Sequence, residues 1–298
     1  MKILIIGGNR FVGLRLVHML DKLKGCEVHV LNRTGQVAHS RSAVVHKGDR
    51  GNLAQTHLDR DWDLIYDFAC FNRRDAESAL NYFTSVRSYI FISTVSVYNL
   101  GVDLKEAAFD PATWDLATSL TADAHGGLAY QHGKRQAETV FTRSAGFPVL
   151  SIRFPVILGP DDYTRRLEFH IERAKAGETI YAEKPDARFS MLHAGDAADF
   201  LLWARDGKFN GPLNVASPET MSVRGLCAQI ELITGKRANI LPTPKGASEG
   251  ISPYCPDGDW FMNCDRMRLM GFKTKSIPEW LPELIGLPET HGRKGFVH

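Results

Sequence analysis

The chain has 298 residues, of which 44% are hydrophobic and 23% are charged, the balance of a folded globular protein with an ample core. This composition excludes a disordered chain and a fibrous repeat, and the net charge of +2 gives no support for nucleic-acid binding. The five cysteines are scattered without metal-ligand spacing, so we expect reduced, structural thiols and no metal site.

In the first half of the chain, short apolar runs alternate with longer amphipathic segments. This alternation is typical of a parallel sheet covered by helices on both faces. The predicted strands are Ile3–Ile6, Val28–Leu31, Val44–His46, Leu64–Phe68, Tyr89–Ser93 and Val149–Phe154. The predicted helices are Phe11–Leu23, Ala76–Ser85 and Tyr130–Arg143. We therefore predict an α/β fold with a doubly wound parallel sheet of the Rossmann type, which binds its ligand at the carboxyl ends of the strands.

Beyond Pro155 the order of elements changes, and we expect a smaller mixed α/β lobe that binds substrate. Its predicted elements are Arg165–Ala176, Phe189–Leu192, Asp196–Ala204, Leu213–Val215 and Val223–Thr234. Residues 1–160 would then form mainly the nucleotide-binding domain and residues 161–298 mainly the substrate lobe, interleaved with the last sheet strands. Gly and Pro residues predict a surface loop over Lys245–Asp259, and Glu289–His298 is predicted to be a polar tail.

The location of the protein follows from two negative features of the sequence. The first predicted strand begins at Lys2, which leaves no space for a signal peptide. No apolar run approaches the roughly 20 residues that cross a bilayer. We therefore expect a cytoplasmic protein without a membrane partner.

A glycine-rich turn joins the first predicted strand to the first helix, with the sequence Gly7-Gly8-Asn9-Arg10-Phe11-Val12-Gly13. In this position glycines let the backbone approach a pyrophosphate, which the free N–H groups of the helix N-terminus stabilise. We therefore predict that this turn binds a dinucleotide, with Gly7, Asn9, Arg10, Phe11, Val12 and Gly13 as its contacts.

A second motif, Tyr130-Gln131-His132-Gly133-Lys134, has the spacing Y-x-x-x-K at the start of a predicted helix. Residues four apart lie on one helix face, so the ammonium of Lys134 can lie near the phenol of Tyr130. A positive charge there lowers the pKa of a tyrosine, which otherwise titrates near pH 10. We predict that this pair moves the proton of a substrate hydroxyl while a nicotinamide moves hydride.

These motifs resemble those of the extended short-chain dehydrogenases/reductases, in the NAD-dependent epimerase/dehydratase family. Arg10 departs from the family pattern, because it stands at the middle glycine of G-x-x-G-x-x-G. The other matching motifs are Val97-Tyr98 after the fifth strand, Arg153 to Pro160 as R-x-x-x-x-x-G-P, His193 with Asp196, and Asn214-Val215-Ala216. The resemblance implies that Thr94 is a catalytic hydroxyl, that Asp49 meets the adenine, and that Phe68, Ala69, Phe154 and Pro155 line the cofactor site.

The second strand ends in Asn32 and Arg33, where NAD-specific relatives carry an acidic residue for the adenosine ribose. Without that carboxylate, and with an arginine adjacent, a 2′-phosphate is accommodated better than it is repelled. We therefore predict NADP as the preferred cofactor over NAD, bound in part by Asn32 and Arg33.

The reaction stays open between two enzyme classes. Val95 and Ser96 replace the acidic pair with which 4,6-dehydratases eliminate water, so dehydration is disfavoured. We favour a reductase or dehydrogenase acting on a small or sugar-nucleotide substrate, and the alternative is a nucleotide-sugar epimerase that retains its cofactor. Arg188 lies about where related enzymes hold a substrate diphosphate.

A third alternative is not an enzyme. The sequence G-G-x-R-F-x-G also resembles the chloroplast stem-loop-binding branch of the superfamily, whose members associate with RNA. The intact Tyr130 and Lys134 and the balanced charge of the chain disfavour RNA as a partner. A homodimer is common in the family, and the sequence does not decide it.

Overall fold

The computed structural model describes residues 1–40, 42–118, 127–206, 209–254 and 256–287. Its strands are β1 (Lys2–Ile6), β2 (Glu27–Asn32), β3 (Val44–Lys47), β4 (Asp61–Asp67), β5 (Ser85–Thr94), β6 (Gly101–Leu104), β7 (Val149–Phe154), β8 (Val156–Leu158), β9 (Thr179–Tyr181), β10 (Phe189–His193), β11 (Gly211–Asn214), β12 (Thr220–Met221), β13 (Asn239–Leu241) and β14 (Trp260–Met262). Its helices are α1 (Phe11–Leu20), α2 (Arg73–Tyr82), α3 (Gly127–Ser144), α4 (Arg166–Ala176), α5 (Ala194–Trp203), α6 (Val223–Thr234), α7 (Asp265–Leu269) and α8 (Ile277–Gly286).

A seven-stranded sheet in the order β11-β7-β5-β4-β1-β2-β3 forms the centre of the fold, and every neighbouring pair in it is parallel. Successive side chains of β1 point to opposite faces. Ile3 and Ile5 pack into the core with α1 and α5, whereas Leu4 and Ile6 pack into the core with α2 and α3. The predicted doubly wound sheet of the Rossmann type is confirmed.

The carboxyl ends of the parallel strands meet along one edge of this sheet. Ile6 at the end of β1 pairs with Leu31 on one side and with Asp67 on the other. Further along the edge, Thr94 at the end of β5 pairs with Phe154 at the end of β7. Apart from Tyr130 and Lys134 on α3, the predicted cofactor residues lie at or just after the ends of β3, β2, β1, β4, β5 and β7, which form one continuous row.

The smaller lobe contains a mixed sheet and a short parallel pair. Strands β12, β10, β14 and β6 lie in this order, with β8 paired to β10, and only the β10–β12 pairing is antiparallel. Strands β13 and β9 form the pair. Because β6 and β8 precede residue 160 and β11 returns to the large sheet, the two sheets interleave along the chain. The division at residue 160 stays a prediction.

The structure departs from the predicted elements mainly at ends and in short strands. The predicted helix Ala76–Ser85 is wrong at its end, because Ser85 pairs with Asp61 and begins β5. Strands β6, β8, β9 and β12 to β14 were not predicted, since two to four residues carry too little periodicity. The predicted tail, Glu289–His298, lies outside the described residues. Within the described ranges, none of the helices combines the length and apolarity that a bilayer span requires.

Candidate active site

The glycine turn between β1 and α1 brings backbone segments unusually close together. Gly7 has a φ of +85°, and a Cβ there would lie 3.4 Å from the Cβ of Phe68 and 3.5 Å from the Cβ of Ala69. A Cβ on Gly13 would lie 2.8 Å from the Cα of Gly8. The positive φ favours glycine at position 7, and the 2.8 Å approach requires glycine at position 13, so the turn and the first helix pack directly on each other.

The first turn of α1 presents its backbone N–H groups without a capping side chain, because Arg10 at the N-cap forms no side-chain hydrogen bond to the helix. Free N–H groups and the helix dipole stabilise an anion at this position. The geometry of the turn therefore fits the pyrophosphate of a dinucleotide.

Arg10 projects from the N-cap toward the segment after β8. Its guanidinium carbon lies 3.9 Å from the centre of the Tyr163 ring. The same ring packs edge to face against the Phe11 ring, with 6.2 Å between the two ring centres. Phe11 itself has a φ of +50°. Sequence reasoning did not identify Tyr163, because no motif links it to the glycine turn.

At the other end of the row, the residues after β2 and β3 have different environments. The buried Asn32 amide closes the turn that follows it, accepting from Thr34 Oγ1 at 2.8 Å and from Gly35 N at 2.7 Å. Arg33 is exposed and has no hydrogen bond or ion pair with any other described residue. Asp49 is exposed and accepts from Gly51 N at 2.8 Å.

The predicted catalytic groups meet at the carboxyl end of β5. Tyr130 lies in the first turn of α3, near enough to Thr94 for the threonine hydroxyl to act on the pKa of the phenol. Lys134, one helical turn later, is buried, and its ammonium lies 5.9 Å from the centre of the Tyr130 ring. That ammonium donates to the carbonyl oxygens of Cys70 and Ile92, each at 2.7 Å. The structure thus brings all three residues together, with the lysine anchored to the segment after β4 and to β5.

The protonation of the pair differs from the expected pattern. Desolvation by the surrounding protein raises the pKa of Tyr130 above its ordinary value, although 40% of the residue surface stays exposed, while Thr94 and the charge of Arg166 act in the opposite direction. Burial lowers the pKa of Lys134 to about 8. The predicted lowering of the tyrosine pKa is therefore not found, because Lys134 directs its ammonium to backbone carbonyls and desolvation of the phenol dominates.

Arg166, at the start of α4, is a second residue that the sequence reasoning missed. Its guanidinium carbon lies 5.6 Å from the centre of the Tyr254 ring, and its Nε donates to Thr164 Oγ1 at 2.9 Å. The charge of Arg166 also lowers the pKa of Tyr130, so this residue of the smaller lobe acts electrostatically on the phenol.

Several residues of the family motifs form a buried structural network. Arg153 on β7 forms an ion pair with Glu138 on α3, with 2.6 Å between Nη2 and Oε2, and both side chains are fully buried. Arg153 also donates to the hydroxyl of Tyr98 at 2.7 Å, and that hydroxyl donates to Asn214 at 2.7 Å. Ser93 donates to Glu138 from β5. These contacts fasten α3 to the sheet below the catalytic residues.

Glu138 is the member of this network that matters most for the active site. Tyr130, Lys134 and Glu138 follow one another at intervals of four residues, so they share one face of α3. The ion pair with Arg153 therefore fixes the same helix face that carries the candidate catalytic pair.

A second buried group supports the end of β4. Arg50 donates to Asp67 through Nε at 3.0 Å and Nη2 at 2.9 Å, and the Tyr89 hydroxyl donates to the same carboxylate at 2.6 Å. The other oxygen of Asp67 accepts from Ala69 N at 2.9 Å. Asp67 thereby fixes the backbone that faces Gly7.

The remaining sequence candidates lie farther from this centre or have structural partners. Arg188 forms an ion pair with Asp259, with 2.7 Å between Nη2 and Oδ2. His193 accepts from Gly195 N at the start of α5, and Asp196 accepts from Lys275 N at 2.6 Å. Among the described residues, no group of three or more His, Cys, Asp or Glu side chains is arranged to hold a metal ion.

Comparison with known sequences gives two matches. The sequence profile of the NAD dependent epimerase/dehydratase family matches residues 3–216. Chloroplast stem-loop binding protein of 41 kDa b from Arabidopsis thaliana is 29% identical over 219 residues, which span 67% of this chain and 54% of that protein. The chain thus matches about half the length of this relative.

Solved structures share the fold over nearly the whole chain. The UDP-glucuronic acid 4-epimerase of Bacillus cereus, in complex with NAD, has a TM-score of 0.71 at 19% identity, covering 96% of both chains. The UDP-glucose 4-epimerase of Thermotoga maritima, with UDP-glucose, has a TM-score of 0.70 at 18% identity, covering 96% of this chain and 97% of that chain. At these identities the likeness shows the fold alone.

Proposed function

The chain belongs to the NAD-dependent epimerase/dehydratase family, and we propose that it catalyses hydride transfer at a hydroxyl or carbonyl carbon with Tyr130 as acid and base. The proposed substrate is a small or sugar-nucleotide molecule. The observation that carries this proposal is the meeting of Tyr130, Thr94 and the buried Lys134 where β5 ends, beside the uncapped glycine turn.

The cofactor would occupy the row of residues along the carboxyl edge of the sheet. Its nicotinamide supplies the hydride donor or acceptor when it is bound. The glycine turn would hold the phosphates, Phe68 and Ala69 would lie beside them, and Asp49 would meet the adenine. Phe154 ends β7 beside Thr94, Pro155 follows it, and both would line the nicotinamide end.

The proposed proton transfer uses the protonated phenol. Because burial raises its pKa, Tyr130 carries its proton at neutral pH and can donate it to a substrate carbonyl oxygen. The Thr94 hydroxyl would hold that oxygen toward the phenol. In the reverse direction Tyr130 would accept the proton of an alcohol, so the same residue serves a reductase and an epimerase.

The Tyr130→Phe variant tests this assignment. We expect it to lose turnover while its affinity for the dinucleotide, measured by titration calorimetry, stays nearly unchanged. Tyr181→Phe is the matched control, because Tyr181 lies on β9 in the smaller lobe and should keep full turnover. Near-normal turnover by Tyr130→Phe would show that another group supplies the proton.

The cofactor preference is proposed to be NADP over NAD, with Arg33 as the residue that binds the 2′-phosphate. The support is that Arg33 is exposed with its guanidinium unpaired among the described residues, while the Asn32 side chain is used in the turn. Some of the structural relatives, such as the epimerase of Bacillus cereus, were solved with NAD, so binding of both dinucleotides tests the preference.

Arg33→Ala should weaken NADP binding by about 10- to 100-fold, the value of charge-assisted hydrogen bonds to a phosphate, and should leave NAD binding unchanged. Arg87→Ala is the control, since Arg87 is exposed near the amino end of β5, at the opposite edge of the sheet. Equal affinities of the wild type for NAD and NADP would contradict the proposed preference.

The alternative enzyme is a nucleotide-sugar epimerase with a retained cofactor, which the UDP-sugar 4-epimerase relatives support. Purified protein that carries NAD without exchange, and that interconverts UDP-sugar epimers with no net change in nicotinamide absorbance, would establish it. Dinucleotide that exchanges and is consumed stoichiometrically with substrate would establish the reductase. Arg188 is proposed to contact a substrate diphosphate only if it leaves Asp259.

The relative named as a stem-loop binding protein supports RNA binding as a second candidate function. Gel-shift titration with stem-loop RNA at low and high salt separates the two functions, because phosphate contacts weaken steeply as salt rises. We expect no salt-dependent binding at micromolar protein. Tight binding of RNA without any dinucleotide affinity would favour the RNA-binding function.

A further inference from the structure

The segment from Gly159 to Arg165 follows β8 and lies along the first turns of α1. It contacts that helix at three points. The centre of the Tyr163 ring lies 3.9 Å from the guanidinium carbon of Arg10, the Tyr163 and Phe11 rings contact each other edge to face with 6.2 Å between their centres, and Asp161 forms an ion pair with Arg15 at 2.6 Å. We call this segment the 159–165 strap.

Tyr163 places its ring against the Arg10 guanidinium, with 3.9 Å between the ring centre and the guanidinium carbon. Stacking on a ring occupies the flat face of a guanidinium, while its N–H groups point outward in the plane of the group. Within the described ranges Arg10 has no ion pair and no side-chain hydrogen bond, so its donors are free. A phosphate oxygen pair is the ligand that such a planar, positively charged edge binds best.

The location of the pair determines which phosphates it can reach. Arg10 is the N-cap of α1, where the uncapped backbone N–H groups fit a pyrophosphate. The Arg10 and Tyr163 side chains are both exposed, Tyr163 by 57%, so the pair lies on the open side of the turn. A pyrophosphate on the turn would therefore lie between the helix N-terminus and the guanidinium edge.

We propose that Arg10 and Tyr163 form a clasp over the phosphates of the bound dinucleotide, so that the cofactor leaves only when the 159–165 strap detaches from α1. This inference rests on the proposed function. Arg10 binds the phosphates, and Tyr163 acts as a positioning residue that keeps the guanidinium oriented. Arg15 and Asp161 pin the strap one turn farther along the helix.

The test is the rate at which reduced dinucleotide dissociates, followed by stopped-flow fluorescence after mixing with excess unlabelled competitor. We expect Tyr163→Leu to dissociate about fivefold faster, the factor that an exposed cation–π contact contributes, with little change in association. The conservative variant Tyr163→Phe keeps the aromatic face and should dissociate at the wild-type rate. Arg10→Leu should weaken affinity by about 10- to 100-fold.

Hydrogen exchange of the cofactor-free protein gives a readout that is independent of binding. Amides of the 159–165 strap should exchange faster in Tyr163→Leu than in Tyr163→Phe, while amides of the central sheet stay equally protected in both. Equal protection of the strap in the two variants would show that the ring does not hold it, and would overturn the clasp.

The outcomes separate the clasp from the function on which it rests. Wild-type protein that binds dinucleotide while Tyr163→Leu releases it at the same rate would overturn the clasp and leave the proposed function intact. Faster association with unchanged dissociation would show that the pair blocks the site, which also overturns the clasp. Failure of the wild type to bind NAD(H) and NADP(H) would overturn both.

Discussion

Removing the charge of Glu138 should destabilise the fold far more than removing the charge of a surface glutamate. Glu138 and Arg153 are fully buried and 2.6 Å apart, so Glu138→Gln leaves the guanidinium in the interior without a counter-charge. Breaking a buried pair in this way costs about 3–5 kcal/mol. Glu77 provides the control, because its i,i+4 pair with Arg73 is exposed and contributes about 0.3–0.5 kcal/mol.

The assay is urea unfolding at pH 7, with the free energy of unfolding extrapolated to water for the wild type, Glu138→Gln and Glu77→Gln. A double variant, Glu138→Leu with Arg153→Met, removes both charges and should recover a large part of the loss. If Glu138→Gln lost no more stability than Glu77→Gln, the buried pair would not carry the energy assigned to it. If the double variant had a lower free energy of unfolding than Glu138→Gln, the packing of the network, and not its charge balance, would determine the loss of stability.

Two further predictions concern α4 and α3. His170 is buried between the Arg166 carbonyl and the Ser252 hydroxyl, and burial lowers the pKa of His170 from 6.5 to about 4. Between pH 6.5 and pH 4, this histidine binds a proton in the unfolded chain but not in the folded chain. The free energy of unfolding therefore falls as the pH drops through this range, by about 2 kcal/mol at pH 4.5. Urea unfolding of His170→Phe should show a smaller loss between pH 7 and pH 4.5 than the wild type, and an equal loss would assign the acid sensitivity elsewhere. In α3, a Cβ on Gly133 would lie 2.4 Å from the Phe71 carbonyl oxygen, whereas Gly127 has nothing within 4 Å. Gly133→Ala should therefore lower the free energy of unfolding by about 1–3 kcal/mol, and it should lower turnover because it displaces Tyr130 and Lys134. Gly127→Ala should leave stability unchanged or raise it. Equal melting temperatures of the two variants would refute the clash.

The sequence alone determined the features that depend on local patterns. Continuous apolar runs such as Ile3–Ile6 predicted the strands of the large sheet, because a strand buried on both faces needs apolar side chains at every position. The glycine turn and the Y-x-x-x-K spacing were also readable, since backbone approach and helix periodicity act over a few residues. Helix ends were less certain, and Ser85 belongs to a strand because pairing with β4 overrides its helical pattern.

Only the tertiary structure decided which side chains meet across long separations in the chain. The partner of Arg10 is Tyr163, and the partner of Arg153 is Glu138, although nothing in the local sequence of either arginine indicates it. The spacing of Tyr130 and Lys134 placed them on one face of α3, yet the packing of β4 and β5 directs the ammonium of Lys134 to the carbonyls of Cys70 and Ile92. Burial then raised the pKa of Tyr130, which residue spacing could not predict, because desolvation depends on everything that surrounds the phenol.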